Sequence, residues 1–157
     1  MSGEYVDVQI TGLKELERKL LQLPDKIADK VLRSAVLSGA GVVRKRARLL
    51  APKRTGKLAK SIRSKVRKRT GKFVRIYDVG PTVRYGHLVE YGTAPHVIKV
   101  RKALAMGKDG RFGKVVEHPG SAPRPFLRPA FDSATTDIIE TMRKKMAAGI
   151  EKEASTP

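Results

Sequence analysis

Cysteine is absent from this 157-residue chain, which excludes disulfides, thiolate metal sites and cysteine nucleophiles. Tryptophan is absent as well, and aromatic residues make up only 5% of the chain. That is too few for the stacking platforms of RNA-recognition or OB-type domains. No apolar run approaches the ~18–20 residues of a membrane span. The opening Met1-Ser2-Gly3-Glu4 is acidic and leads into no apolar segment of the secretory kind. A soluble, cytoplasmic product is therefore expected, with no membrane contact. Acidic residues are scarce too, 15 against 34 lysines and arginines, and they are dispersed, so a paired-carboxylate site has no anchor.

What is present is positive charge, unevenly placed. The formal net charge is +19. Residues 1–43 carry six basic and six acidic side chains, residues 44–77 carry fifteen Lys/Arg and no acid, and residues 78–157 carry thirteen against nine. A short charge run is ordinarily a solvated face. Fifteen like charges without one acid repel each other, so an acidic protein surface or a nucleic-acid backbone is the expected partner of this stretch.

A chain of this length forms one domain, large enough to bury a core without staples. Tyr5–Thr11 alternates Val6, Val8 and Ile10 against Tyr5, Asp7 and Gln9, the pattern of a half-buried strand. Leu13, Leu16, Leu20 and Leu23 then recur at helical spacing, and Pro24 closes that helix. A long helix is predicted from Asp25 to about Leu50, with Ala28, Val31, Leu32, Ala35, Val36, Ala40, Val43 and Ala47 as its apolar side. Gly39 and Gly41 cost it about 1 kcal/mol each relative to alanine, and mark close packing or a kink. Ser61–Arg69 alternates again, placing Arg63, Lys65 and Arg67 on one strand face about 7 Å apart. Thr70-Gly71 is a turn, Phe73–Val79 the return strand, and Gly80-Pro81 a breaker. Tyr85–Tyr91 reads as a short helix ended by Gly92. His96–Val100 and Gly113–His118 form the arms of a protruding hairpin, about residues 96–118, with a small polar tip. Pro129 suits the first turn of a last helix carrying Ala134, Ile138, Met142 and Met146, with residues from about 151 to 157 frayed. The expected class is α+β: one antiparallel sheet packed by a long helix and a C-terminal helix.

Tests for chemistry fail. Gly56-Lys57 and Gly71-Lys72 lack the earlier glycine and the following Ser or Thr of a phosphate loop. No Gly-x-Ser-x-Gly occurs. His87 and Glu90 stand three apart on the short helix, but no third ligand has useful spacing. No catalytic, cofactor-binding or metal site is expected, and the polyanion-contact candidates are Arg44, Lys45, Arg48, Arg63, Lys65, Arg67 and Arg75.

Three stretches in series carry a resemblance. Ala51-Pro52-Lys53-Arg54-Thr55-Gly56-Lys57-Leu58-Ala59-Lys60-Ser61-Ile62 is similar to a Pro-x-x-Thr-Gly-x-Leu-x-x-Ser-Ile signature. Val89-Glu90-Tyr91-Gly92-Thr93 and Pro123-Arg124-Pro125-Phe126-Leu127-Arg128-Pro129-Ala130-Phe131 follow in the same order and spacing. Together they resemble the siphophage neck and tail-component proteins, the gene-product-10-like morphogenesis family. The basic block from Lys53 to Arg75 is more intense than that family's pattern.

As scaffold the motifs make physical sense. Pro52 stops the long helix, Thr55 is placed to cap the next turn, and Gly56 supplies a backbone angle denied to other residues. Leu58 and Ile62 return to the core. Pro125 and Pro129 bracket Phe126 and Leu127 at the root of the last helix. The resemblance implies a non-enzymatic virion subunit without cofactor, built in the host cytoplasm into a homo-oligomeric ring where head meets tail. Its implied neighbours are head-closure and tail-terminator proteins, with non-specific DNA contact in the channel. Charge alone favours the rival reading, a free-standing basic nucleic-acid-binding protein of ribosomal or nucleoid type.

Overall fold

The computed structural model describes residues 13–67, 71, 74–99, 104–105, 111–112 and 115–155. The strand expected over Tyr5–Thr11, the far end of the basic strand (Lys68, Arg69), Phe73 and the hairpin tip lie outside the described residues.

The helices are α1 (Leu13–Leu21), α2 (Asp25–Leu50), α3 (Lys57–Ser61), α4 (Gly86–Tyr91), α5 (Leu127–Asp132) and α6 (Thr135–Ala154). The strands are β1 (Ile62–Val66), β2 (Tyr77–Pro81), β3 (His96–Lys99), β4 (Leu104–Ala105), β5 (Arg111–Phe112) and β6 (Val115–His118). The class is α+β as expected. The single sheet is not: the described strands form three separate antiparallel ladders, β1–β2, β3–β6 and β4–β5. The hairpin strands pair with each other rather than with β2, so two alternating segments cannot be merged into one sheet on pattern alone.

The axis of the fold is α2, about 39 Å long at 1.5 Å per residue, with α6 antiparallel along it. Its buried line is Ala28, Val31, Ala35, Gly39, Val43 and Ala47, a spacing of three or four that keeps one stripe inward. Gly39 belongs to that stripe because a Cβ there would lie 2.7 Å from Met142 Cγ and 3.3 Å from Ile138 Cγ2. Gly149 on α6 stands the same way against Val31, its Cβ position 2.9 Å from Val31 Cγ1. Small residues on both helices thus permit close packing, and α2 is continuous from Asp25 to Leu50. At one end α1 covers the pair: Leu20, Ala28, Val31 and Ile150 form a core with Leu16, Leu23 and Met146 around it. At the other end Ala47, Ala51, Leu58, Ile62, Phe126 and Ala130 form a second core, flanked by Val79, Val83, Val89 and Leu127.

Several boundaries differ from the sequence expectation. Gly80 and Pro81 do not break the return strand; they end it, opposite Arg63 and Ile62. Proline is tolerated at the last residue of so small a ladder, and the next residue, Thr82, donates its N–H to Ser61 O at 3.1 Å. Pro129 is not the first residue of the last helix but the third residue of α5. A break at Ser133-Ala134 then redirects the chain into α6, and Arg46 reaches the Ser133 carbonyl across it. The last helix does not fray at Ile150; it continues to Ala154, held by the Lys30–Glu153 ion pair at 2.9 Å. The hairpin is anchored at its root by reciprocal bonds between Thr93 and Ser121. Beyond the root, Val97, Lys99, Val115 and Glu117 on one face and His96 and His118 on the other are exposed, so the β3–β6 arm projects. The His96 and His118 rings stack at its base, 5.0 Å apart.

Candidate functional site at the motif junction

The three motifs are far apart in sequence and meet in space around Phe126, which is completely buried. The first motif leaves α2 through Ala51 and Pro52. Gly56 then precedes α3 with φ +68°, the left-handed region that glycine enters without penalty. Thr55 does not cap α3: it is exposed, the N-cap position is Gly56, and no side-chain cap bond forms there. The turn is closed by backbone instead, with Lys60 N–H donating to Gly56 O at 3.0 Å. Ser61 Oγ donates to Leu58 O at 2.7 Å, while Leu58 and Ile62 turn inward onto Phe126.

The second and third motifs are joined by Glu90. Its side chain is buried. Oε2 accepts the N–H groups of Phe126 at 2.8 Å and Leu127 at 2.9 Å, and Oε1 that of Arg128 at 3.0 Å. These are the opening donors of α5, which a helix leaves without internal partners. The next residue, Pro129, has no N–H to satisfy. One carboxylate and one proline therefore complete the start of a helix that has no local side-chain cap. Burial pushes the Glu90 carboxyl upward, but the three N–H groups and the Arg128 guanidinium outweigh it and hold the group below the usual glutamate range.

The flanking backbone tightens this junction. Arg124 N–H donates to Val89 O at 2.8 Å. Gly92, at φ +72°, lies so close to the third motif that a Cβ would fall 2.5 Å from Ser121 O. Tyr91, between Glu90 and Gly92, points outward and is 80% exposed. Pro125 and Arg128 are exposed at the rim, and Leu127 and Pro129 are half-buried. His87 is exposed on α4, whereas both Glu90 oxygens accept backbone N–H groups.

The seven polyanion candidates separate into three groups. Lys45, Arg63 and Lys65 are exposed. Arg44 and Arg48 are half-buried, and Arg48 Nη2 donates to Ile62 O at 2.8 Å, tying α2 to β1. Arg67 and Arg75 are neutralised. Asp78, the first acid beyond the basic stretch, sits opposite Lys65 and holds Arg67 through two bonds, at 2.6 and 3.1 Å. Arg75 is almost wholly enclosed and ion-paired to Asp29 on α2. Sequence reading placed these two on the basic face because their acids lie outside the 44–77 window. Conversely Lys53, Arg54, Lys57 and Lys60, around the Gly56 turn, are all exposed; the same charge count contained them.

A small α+β scaffold emerges, in which the most constrained motif residues hold elements together and the surplus charge stands outside. The chain belongs to the HK97-gp10-like family, described as "Bacteriophage HK97-gp10, putative tail-component", which it matches over residues 14–92, half of its length. This is a family of structural phage proteins, and the match includes the first motif and the second through Gly92. No curated protein and no solved structure matches the chain. No helix among the described residues is long and apolar enough to cross a membrane.

Proposed function

We propose that the chain is a structural subunit of the tailed-phage neck or tail-completion region, assembling into a ring that joins head to tail around the DNA channel. The observation that carries this reading is membership of the phage tail-component family. The geometry supports a scaffold role: the buried Glu90 carboxylate is occupied by backbone donors, which suits holding a fold and not turning over a substrate. In this reading the projecting β3–β6 arm contacts a neighbouring subunit or ring, a head-closure or tail-terminator protein. The exposed Lys45, Arg63 and Lys65 meet polyanion, either channel DNA or an acidic rim.

The test is a phage carrying a nonsense codon in this gene, grown without suppression and examined by electron microscopy. Separate filled heads and finished tails are expected, and supplying the protein in trans should restore joined particles. Joined, infectious particles made without the protein would refute the proposal and favour the free-standing nucleic-acid binder.

A further inference from the structure

The described fold exposes two apolar surfaces that match each other. The first is one face of the β3–β6 arm. In the register of this ladder Val97 lies opposite Glu117 and Lys99 opposite Val115, so the four side chains share a face. Val97 and Val115 stand on one diagonal of that face, 53% and 58% exposed. Lys99 and Glu117 stand on the other diagonal and are exposed as well. A two-stranded ladder is marginally stable alone in water, and covering its valines removes apolar surface from solvent.

The second surface is a cleft of about 520 Å³. Ala40 and Val43 line it from α2, Val79 from β2 and Met142 from α6, together with the exposed Tyr91 and Phe131. Arg128 and Asp132 of α5 also border it, and both are exposed. No described residue of the arm lines this cleft.

We infer that the arm of one copy docks in the cleft of a second copy, with Val97 and Val115 set against Tyr91 and Phe131. In the ring proposed above, on which this rests, that contact joins each subunit to the next. Charge supplies the strongest match. Arg128 and Asp132 are four residues apart on α5, hence about 6 Å apart on one side of it. Lys99 and Glu117, across a diagonal of the ladder, are about 7–8 Å apart. One orientation sets Lys99 beside Asp132 and Glu117 beside Arg128, two contacts of opposite sign. The reversed orientation sets like charges together, which disfavours it and fixes how the arm enters.

The arm leaves the body at the Thr93–Ser121 bridge, and its Val97 face is turned to solvent rather than onto its own chain. Arm and cleft are therefore different patches, and each copy offers one of each. A contact of this heterologous kind repeats head to tail and closes a ring when the rotation allows.

The chain has no cysteine of its own, which permits a clean test. The full-length variant Val97→Cys/Phe131→Cys is supplied in trans to the nonsense phage. Its particles are treated with a short bis-maleimide and resolved on a denaturing gel. Docking in a ring gives a ladder of linked chains that continues beyond the dimer. His96→Cys/Phe131→Cys, with its arm cysteine on the opposite face, should give at least ~10-fold less. Equal ladders from the two variants would overturn the inference, and so would linked dimers with nothing larger, the mark of a two-fold contact. Particles that contain the protein but show no links between copies would overturn it while leaving the ring reading in place. The ring reading itself fails on a different result, joined particles made without the protein. If the cysteine variants do not support joining, charge exchange decides: Lys99→Glu should lower the phage titre at least ~10-fold, and adding Asp132→Lys should restore it. An unaffected single variant, or a double variant that restores nothing, would overturn the docking.

Discussion

Removing the Glu90 carboxylate tests the junction most directly. In Glu90→Ala the Phe126 N–H is left buried, and the Leu127 and Arg128 N–H groups are left part-buried. A buried donor bonded to a charged acceptor is worth about 2 kcal/mol and a part-buried one about 1, so the expected loss is roughly 4 kcal/mol. That is a large share of the ~5–15 kcal/mol that holds a domain of this size. With a urea slope of about 2 kcal/mol/M, the unfolding midpoint should fall by roughly 2 M. Glu90→Gln keeps an oxygen for Phe126 and Leu127 but presents an NH2 to the Arg128 N–H, so about half that loss is expected.

The pH dependence has a definite sign. The folded-state carboxyl lies below its ordinary value, so the unfolded chain takes up the proton first as pH falls. The stabilisation is fully present above the unfolded-state value of about 4.3 and is lost as pH falls through the lower folded-state value. Urea unfolding of wild type, Glu90→Gln and Glu90→Ala between pH 7 and pH 3 measures both effects. A Glu90→Ala midpoint within ~0.3 M of wild type at pH 7 would show that the carboxylate does not hold α5 in place.

The remaining predictions concern the packing and the charged surface. Gly39→Val should separate α6 from α2, because a Cβ already meets Met142 at 2.7 Å; a loss of about 1–3 kcal/mol is expected by calorimetry, and an unchanged melting temperature would contradict the close contact. Asp29→Ala should cost about 3–5 kcal/mol, since it leaves the enclosed Arg75 without its partner; the same urea assay measures it. A Lys45→Glu, Arg63→Glu, Lys65→Glu variant should fold normally and bind DNA more weakly, its log affinity against log salt shallower by about 3 in slope; unchanged affinity and slope would reduce this face to a solvated one. Titration with ATP and magnesium should give no saturable micromolar site, because both Gly-Lys pairs lack the phosphate-loop context; one-site binding at that level would overturn this expectation.

The sequence by itself determined the local structure. α2 begins at Asp25 and ends at Leu50 as its apolar spacing and Pro52 require, because helix periodicity and proline act over a few residues. The Gly56 backbone angle and the β3–β6 pairing were legible for the same reason, being decided by one residue's sterics and by a short register. Tertiary structure decided what depended on contact across long separations. Thr55 had the chemistry of a cap, yet α3 was closed by backbone and α5 by a carboxylate 36 residues upstream of Phe126. Glu90 was visible in its motif, but no local pattern records that its acceptors answer the donors of a distant helix. Arg67 and Arg75 counted as free charge until folding brought Asp78 and Asp29 to them. Charge adds up along a chain, whereas neutralisation depends on which side chains come within ion-pair distance: the β1–β2 pairing decides that for Arg67, and the approach of the chain before β2 to α2 decides it for Arg75.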